Sequence, residues 1–369
     1  MPFFEILFLV MLGALAVLLF FHGFIFSRLA FRKPQVEPDR DMPVSVVICA
    51  RNEARALEEL IPLIMAQDHR EFEVVVVNDR SEDDTAEILQ WMKPQYERLR
   101  IVAIQADEKF SYGKKIALGV GIRAAKHPRV LLTDADCRPP GNDWISCMAA
   151  GFRHERQIVI GHSPYERMAG ITNTLERFDG TVKAMQYISF AMAGFPYMGV
   201  GRNLGYTSDL FYSAADRKRR HRQLMSGDDD LFINEVARVG NTATVADPRS
   251  FMTTTATRDF LAWWHRKRRH YTTARYYRFG HQLLLTLLPA ARITFWAALA
   301  WLLTLGHLRE AAVGAAVELA LFQPVIMLAM RKLNAGSLIW FSIPLEWLFL
   351  LLDPIIYFST LIHKPRRWK

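Results

Sequence analysis

Two aspartates one residue apart, Asp134 and Asp136, are hard oxygen donors of the kind that hold Mg²⁺ or Mn²⁺ jointly with a diphosphate. They follow a β-branched apolar run, Val130 to Thr133. An isolated D-x-D is a weak signal because acidic turns are common, and its place at the end of a predicted strand is what gives it weight. Three further carboxylates, Asp228, Asp229 and Asp230, open a helical pattern from Leu231 to Val239. A helix N-terminus offsets part of their repulsion, yet a single cap needs only one acid. Crowding of this kind raises the pKa of one member, which suits a general base. Asp79 follows the run Phe72 to Val77 and is suited to accept hydrogen bonds from a base or ribose, or simply to start a turn through Ser81. Lys114 and Lys115, just after Gly113, can reach a diphosphate or form a solvated helix end.

These side chains need a scaffold. Val44 to Cys49, Phe72 to Val77, Ile101 to Ile104 and Val130 to Thr133 are short apolar runs, with helical patterns between them at 53–66, 83–92 and 114–125. The alternation predicts an α/β domain with a mostly parallel sheet, whose ligands gather beyond the carboxyl ends of the strands. Those ends carry Ala50-Arg51-Asn52-Glu53, Asn78-Asp79-Arg80-Ser81 and Asp134-Ala135-Asp136. No G-x-G-x-x-G and no P-loop follows the first run, which removes the main support for dinucleotide or P-loop chemistry. The glycine-rich basic loop of a sugar nucleotidyltransferase is missing as well.

The 369 residues are 51% hydrophobic and 22% charged with a formal net charge of +9, a composition that excludes disorder. The apolar residues are unevenly spread. From Ile6 to Phe26 the only strongly polar side chain is His22. As a helix this run reaches roughly 31 Å, close to a bilayer core. Arg28, Arg32 and Lys33 follow it and only Glu5 precedes it, so it reads as an anchor rather than a cleaved signal, with the chain after it in the cytoplasm. Further apolar stretches run from Pro289 to Gly306, Ala311 to Met330 and Ser337 to Ile362. The last is in conflict with its flank: Lys364, Arg366, Arg367 and Lys369 favour the cytoplasm, while a fourth simple crossing puts them outside. A re-entrant or interfacial arrangement resolves the conflict. Glu318, Glu346 and Asp353 lie within apolar stretches, where the expectation is pairing with Arg292 or a position at the cytosolic interface, and a functional role is the alternative.

The resulting division is a transmembrane anchor at 1–33, a cytosolic domain at 34–260, a basic amphipathic interfacial segment at 261–288 and a membrane region at 289–369. Segments 217–222 and 262–278 hold 11 basic residues and no acidic one, which suits an anionic membrane surface. The flanking spans argue against nucleic acid as a partner. Cys49, Cys137 and Cys147 form no C-x-x-C pair and read as reduced cytosolic thiols.

The ordered motifs resemble the family 2 glycosyltransferases, membrane-bound relatives of the catalytic subunits of cellulose, hyaluronan and poly-N-acetylglucosamine synthases and of ceramide glucosyltransferase. They are V-S-V-V-I-C-A-R-N-E at 44–53, V-N-D-R-S at 77–81, G-K-K-I-A-L at 113–118, D-A-D at 134–136, G-R-N-L-G-Y at 201–206, G-D-D-D-L at 227–231 and R-K-R-R-H at 266–270. The resemblance covers about 43–275 and the membrane layout. It implies a GT-A fold flanked by transmembrane helices and an inverting hexosyltransferase that depends on a divalent metal, Mn²⁺ or Mg²⁺. Arg51, Glu53, Asp79, Lys114, Asp134, Arg266 and Arg269 would bind a nucleotide-sugar donor, with UDP favoured. Asp134 and Asp136 would hold the metal. Asp228 matches the catalytic base, with Asp229 as its rival, because the family has Glu-Asp where this chain has Gly227-Asp228. Arg202, Asn203 and His270 would meet the acceptor. The family's R-x-x-R-W motif reads Arg266-x-x-Arg269-His270 here, and loss of the Trp weakens the case for processive polymer synthesis. The implied acceptor is a membrane lipid or lipid-linked glycan at the cytoplasmic membrane, with room for a partner subunit. A processive polysaccharide synthase and a non-catalytic nucleotide-sugar-binding scaffold are the alternatives.

Overall fold

The apolar runs form the centre of a seven-stranded sheet in the computed structural model of the protein, which describes residues 3–33, 36–105, 114–215 and 229–362. The strands are β1 (Val44–Ala50), β2 (Phe72–Asp79), β3 (Leu99–Ile104), β4 (Arg129–Asp134), β5 (Cys137–Arg138), β6 (Ile158–Ile160), β7 (Leu204–Thr207), β8 (Thr242–Thr244) and β9 (Thr253–Thr254). The large sheet has the order β3-β2-β1-β4-β7-β6-β8, and β5 pairs with β9 in a small second sheet. Strands β1 to β4 are parallel, whereas β7 runs antiparallel to both β4 and β6. All four predicted strands are present and extend by two residues or fewer at either end.

Both faces of the parallel half are covered, which is why its strands are apolar at successive rather than alternate positions. Val44, Val46 and Ile48 pack with Leu57, Leu60, Ile61 and Leu89 from helices Ala54–Met65 and Thr85–Met92. Val47, Val75 and Val77 pack on the other face with Ala117, Leu118 and Ile122 from helix Lys114–Ala124. That helix approaches closely because Gly121 has no side chain: a Cβ there would lie 2.6 Å from Val47 Cγ1 and 2.9 Å from Val77 Cγ2.

Four helical stretches are long and apolar enough to cross a membrane: Glu5–Ala30, Phe279–Thr304, Leu308–Lys332 and Gly336–Thr360. The first packs along the second, and its Phe21 ring lies 6.0 Å from Phe190 on the domain helix Ile171–Met192. The second begins at Phe279, ten residues before the expected Pro289, so the segment expected at 261–288 is divided between helix Phe260–Tyr271 and the start of this one. Leu284, Leu285 and Leu288 give those early turns an apolar face against the core, which offsets the hydrogen bond that Pro289 cannot donate.

The acids in the apolar stretches divide between two cations. Arg292 lies 2.9 Å from Glu346 and 3.5 Å from Glu318, as expected. Asp353 instead binds Lys267 at 2.6 Å, and Lys267 also binds Asp179 at 2.7 Å. The expected Arg292 partnership is thus corrected for Asp353, whose helix packs against Phe260–Tyr271 rather than against Phe279–Thr304 at that level.

Gly121→Ala forces a methyl into the contact with Val47 and Val77, and overpacking of this kind costs about 1–3 kcal/mol. A lowered thermal unfolding midpoint in the detergent-solubilised protein is the expected result, and an unchanged midpoint would contradict this account of helix–sheet packing.

Candidate active site

The loops that follow β1 and β2 are knitted to each other. Asn52 and Arg80 both adopt positive φ, 56° and 53°. Asn52 donates its backbone N–H to Ser81 Oγ at 3.0 Å, and Glu82 N–H donates to Asn52 Oδ1 at 2.8 Å. Arg51 is exposed and Glu53 half-buried on this edge, while the Glu53 N–H is held by Thr85 Oγ1 at 3.0 Å. Asp79 is buried at the end of β2 and accepts from the Arg80 guanidinium at 2.8 Å.

At the end of β4, Lys114 Nζ lies 2.6 Å from Asp134 Oδ1. Burial pushes the Asp134 carboxyl up, but the charge and hydrogen bond of Lys114, with Arg202 beyond, more than offset it and leave the group below the usual carboxylate range. Asp136 moves the other way, raised by burial and by the charge of Asp134. Arg202 donates to Ser163 Oγ at 3.2 Å and Tyr165 OH at 3.3 Å, and its guanidinium sits 4.9 Å above the Tyr165 ring. Its charge acts on both aspartates.

Asp229 closes the site from the opposite side. It is the N-cap of helix Asp230–Val236: its Oδ1 accepts from Asp230 N–H and its Oδ2 from Gly201 N–H, both at 2.8 Å. Asp134, Lys114, Gly201 and Asp229 line one small cavity at the carboxyl ends of β1 and β4, together with Val47, Cys49, Leu118, Leu132 and Thr133. Asp230 points away from it, accepting from Thr273 Oγ1 at 2.5 Å and Tyr277 OH at 2.8 Å. Burial, then the charge of Asp229, push its carboxyl up to about 6. Asp228 and the basic run at 217–222 lie outside the described residues.

The basic helix Phe260–Tyr271 meets the site along one face. His270 is exposed and stands within electrostatic reach of Asp229, Arg202 and Arg266, and Arg269 is half-buried beside it. Arg266 binds the buried Glu176 at 2.5 Å. Sequence reasoning missed Glu176 and its neighbour Asp179; two acids three residues apart, and so on one face of a helical pattern, were the available signal. Asn203 requires a correction. It is fully buried, donating to the carbonyls of His162 and Ser250 at 2.7 Å each and accepting from Trp144 Nε1 at 3.0 Å. All its amide chemistry is spent inside the core, so it braces the loop that carries Gly201 and Arg202.

Among the described residues no group of three His, Cys, Asp or Glu side chains is disposed to hold a metal. Asp134 and Asp136 nevertheless fit a divalent cation that takes its remaining ligands from a diphosphate: they are hard donors, and the charge of one raises the other, a repulsion that a cation relieves.

Residues 45–202 match the family model described as Glycosyl transferase family 2, and the chain carries a domain of that family. Poly-beta-1,6-N-acetyl-D-glucosamine synthase of Staphylococcus aureus (strain COL) is 23% identical over 168 residues, covering 44% of this chain and 39% of that one. The Staphylococcus epidermidis protein of the same name is 28% identical over 93 residues, 25% of this chain and 21% of that one. This chain therefore matches about two-fifths or less of the length of these relatives. The mannosyltransferase PcManGT from Pyrobaculum calidifontis, solved with GDP-Man and Mn²⁺, shares the fold with a TM-score of 0.57 and 20% identity, over 91% of this chain and 98% of that one. The fold is GT-A-like, in accord with the sequence motifs.

Asp230 supplies a pH signature. Its folded pKa of about 6 lies above the ordinary aspartate value, so the protonated form is favoured in the fold and the stability it contributes is lost as pH rises from about 4 through 6. Asp230→Asn removes this titration. The difference between wild-type and mutant unfolding midpoints should therefore change across pH 4–6 and level off above it, and a constant difference would refute the assignment.

Proposed function

We propose that this family 2 glycosyltransferase domain moves a sugar from a nucleoside-diphosphate sugar to an acceptor hydroxyl at the membrane, with inversion at the anomeric carbon. The observation that carries the proposal is the convergence of Asp134, Lys114 and Asp229 on one small cavity at the strand ends. Asp229 takes the role of general base. Two backbone N–H groups orient its carboxylate, and it faces the same cavity as the donor-side residues. Asp228, the residue first matched by motif position, is its rival.

In the proposed step Asp229 accepts the proton of the acceptor hydroxyl as that oxygen bonds to the anomeric carbon. The bond from this carbon to the β-phosphate oxygen breaks, and its electron pair leaves on the nucleoside diphosphate, turning an α-linked donor into a β-linked product. Lys114, Arg202 and Arg269 oppose the charge developing on the leaving group. A divalent cation held by Asp134 and Asp136 would add to that neutralisation. Glu53 and Asp79, with Arg51 on the same edge, serve the nucleoside, and UDP is the nucleotide we favour. Arg266, occupied by Glu176, acts through the position of its helix.

The basic, aromatic helix Phe260–Tyr271 and the apolar helices beside it support a lipid or lipid-linked glycan acceptor, with the domain on the cytoplasmic side as Arg28, Arg32, Lys33, Arg331 and Lys332 favour. A processive polysaccharide synthase is the second reading, favoured by the names of the Staphylococcus relatives.

Release of UDP from a panel of UDP-sugars, with Mn²⁺ or Mg²⁺ and a membrane lipid extract, tests the reading, and product size separates glycolipid from polymer. Asp229→Asn should lower kcat by roughly 10²–10⁴ while donor binding persists. Full activity of that variant with loss of activity in Asp228→Asn would transfer the role to Asp228. Absence of release from UDP- and GDP-sugars alike by the folded protein would overturn the transferase reading.

A further inference from the structure

We propose that the last apolar helix, Ser342–Ile362, does not cross the bilayer but lies along its cytoplasmic surface, docked lengthwise on the catalytic domain. The inference rests on the membrane reading above. Successive turns of this helix meet successive turns of the basic helix Phe260–Tyr271 in the same direction. The Trp263 and Phe349 rings lie 6.1 Å apart, Lys267 binds Asp353 at 2.6 Å, and the Tyr271 and Tyr357 rings lie 6.1 Å apart. Arg268 adds a hydrogen bond to the Ser359 carbonyl at 2.9 Å. The same Lys267 binds Asp179 of the domain helix Ile171–Met192, whose Phe178 ring is 5.4 Å from Phe349.

A crossing helix would carry this contact set into hydrocarbon: Asp353, Lys267, Asp179 and the consecutive cations Arg266 to Arg269. Charges at such depth are costly, and Asp179 belongs to a helix packed on the domain core. The outward side of the last helix is apolar. Trp347, Leu351, Ile355, Phe358 and Ile362 recur every three or four residues and are 43%, 67%, 56%, 60% and 76% exposed. One polar-anchored face and one apolar face describe a helix lying in the headgroup–acyl boundary. The occupant of the apolar face is the leaflet that the three other long apolar helices place beside it. This arrangement keeps Lys364, Arg366, Arg367 and Lys369 on the cytoplasmic side and removes the conflict present in the sequence.

Nitroxides placed singly at Trp347, Leu351, Ile355, Phe358 and Ile362 of the full chain, in nanodiscs of phosphatidylcholine and phosphatidylglycerol, report depth through oxygen and nickel-chelate accessibility. Similar shallow depths at all five sites are expected. A depth that peaks near Leu351 or Ile355 and falls toward Ile362 would overturn the proposal. Green fluorescent protein fused after Lys369 should fluoresce and alkaline phosphatase there should be inactive, and the reverse result also overturns it. A phosphatase domain inserted at Gly306 should be active, and inactivity there would locate the error in the membrane reading instead.

A different observation carries a second site. We infer that the cleft between Arg167 and Arg177 binds the phosphate of an anionic lipid. Met168, Thr174, Leu338 and Phe341 also line it. Nearby, Arg266 is paired with Glu176, Lys267 with Asp179 and Asp353, and Arg292 with Glu346. Among the described residues no carboxylate pairs with Arg167 or Arg177, and Arg177 donates only to Ser337 Oγ at 2.9 Å. Desolvation of Arg177 and the like charge of Arg167 pull its pKa below the ordinary guanidinium value, and an anion relieves both. Ile171, Trp340 and Phe341 near the cleft are 80%, 86% and 55% exposed, an apolar rim for acyl chains rather than for a soluble phosphate.

Dihexanoyl phosphatidic acid titrated into the full-length protein in maltoside detergent, followed by thermophoresis, should bind saturably. Affinity should fall at least about tenfold in Arg177→Ala and in Arg167→Ala, with unfolding midpoints unchanged. Glycerol 3-phosphate and dihexanoyl phosphatidylcholine should bind far more weakly. Undiminished phosphatidic acid binding by both variants, or equal binding of glycerol 3-phosphate, would overturn the lipid site. Neither result depends on whether the donor site turns over.

Discussion

Two carboxylates, Asp134 and Asp136, are brought to one end of a sheet, and the repulsion of the second by the first is the constraint that the surrounding structure answers. Lys114 and Arg202 bring positive charge from two directions, and the N–H groups of Gly201 and Asp230 hold Asp229. Topology makes this convergence available. Because β7 runs antiparallel to β4, with Leu132 opposite Leu204, the turn Gly201–Asn203 that opens β7 falls beside the carboxyl end of β4. A parallel β7 would have placed that turn at the other edge.

Backbone donors can serve a site only if the loop that bears them is fixed, and Asn203 fixes it. Its amide bridges the His162 and Ser250 carbonyls and the Trp144 indole, joining three segments remote in sequence. Gly161 allows the approach, since a Cβ there would come within 2.6 Å of the Asn203 side chain. Adjacent residues thus divide the work: Gly201 supplies an N–H, Arg202 a charge, and Asn203 the anchorage.

Strands β1, β2 and β4 were legible because burial on both faces demands unbroken apolar runs, and the polar residues after them had nowhere to go but the mouth of the sheet. The D-x-D pair could be found for the same reason. Strands β6 and β8 have three residues each and leave almost no periodicity to read. Residue type announced Asn203 as polar but not the direction of its side chain, which only tertiary contacts decide. The four residues Gly227 to Asp230 show a helix start without showing which acid caps it, and the cap is what turns Asp229 toward the cavity. The Lys267–Asp353 pair was equally hidden, since nothing local links two residues on helices so distant in the chain.

The helix Phe260–Tyr271 connects the chemistry to the membrane through its two faces. Trp263, Lys267 and Tyr271, one turn apart, face the last apolar helix, whereas Arg266 binds Glu176 of the domain and His270 stands within electrostatic reach of Asp229. A 12-residue helix is stiff over this span, about 18 Å at 1.5 Å per residue. In the proposed interfacial arrangement its two sets of contacts therefore fix the height of the carboxylate cluster above the membrane surface. His270, which stands where the family motif has Trp, points to the side of Asp229, so a change at this position leaves the Lys267 anchorage on the other face in place. On the proposed reading, acceptor preference can diverge in this way while the distance between bilayer and donor site is kept.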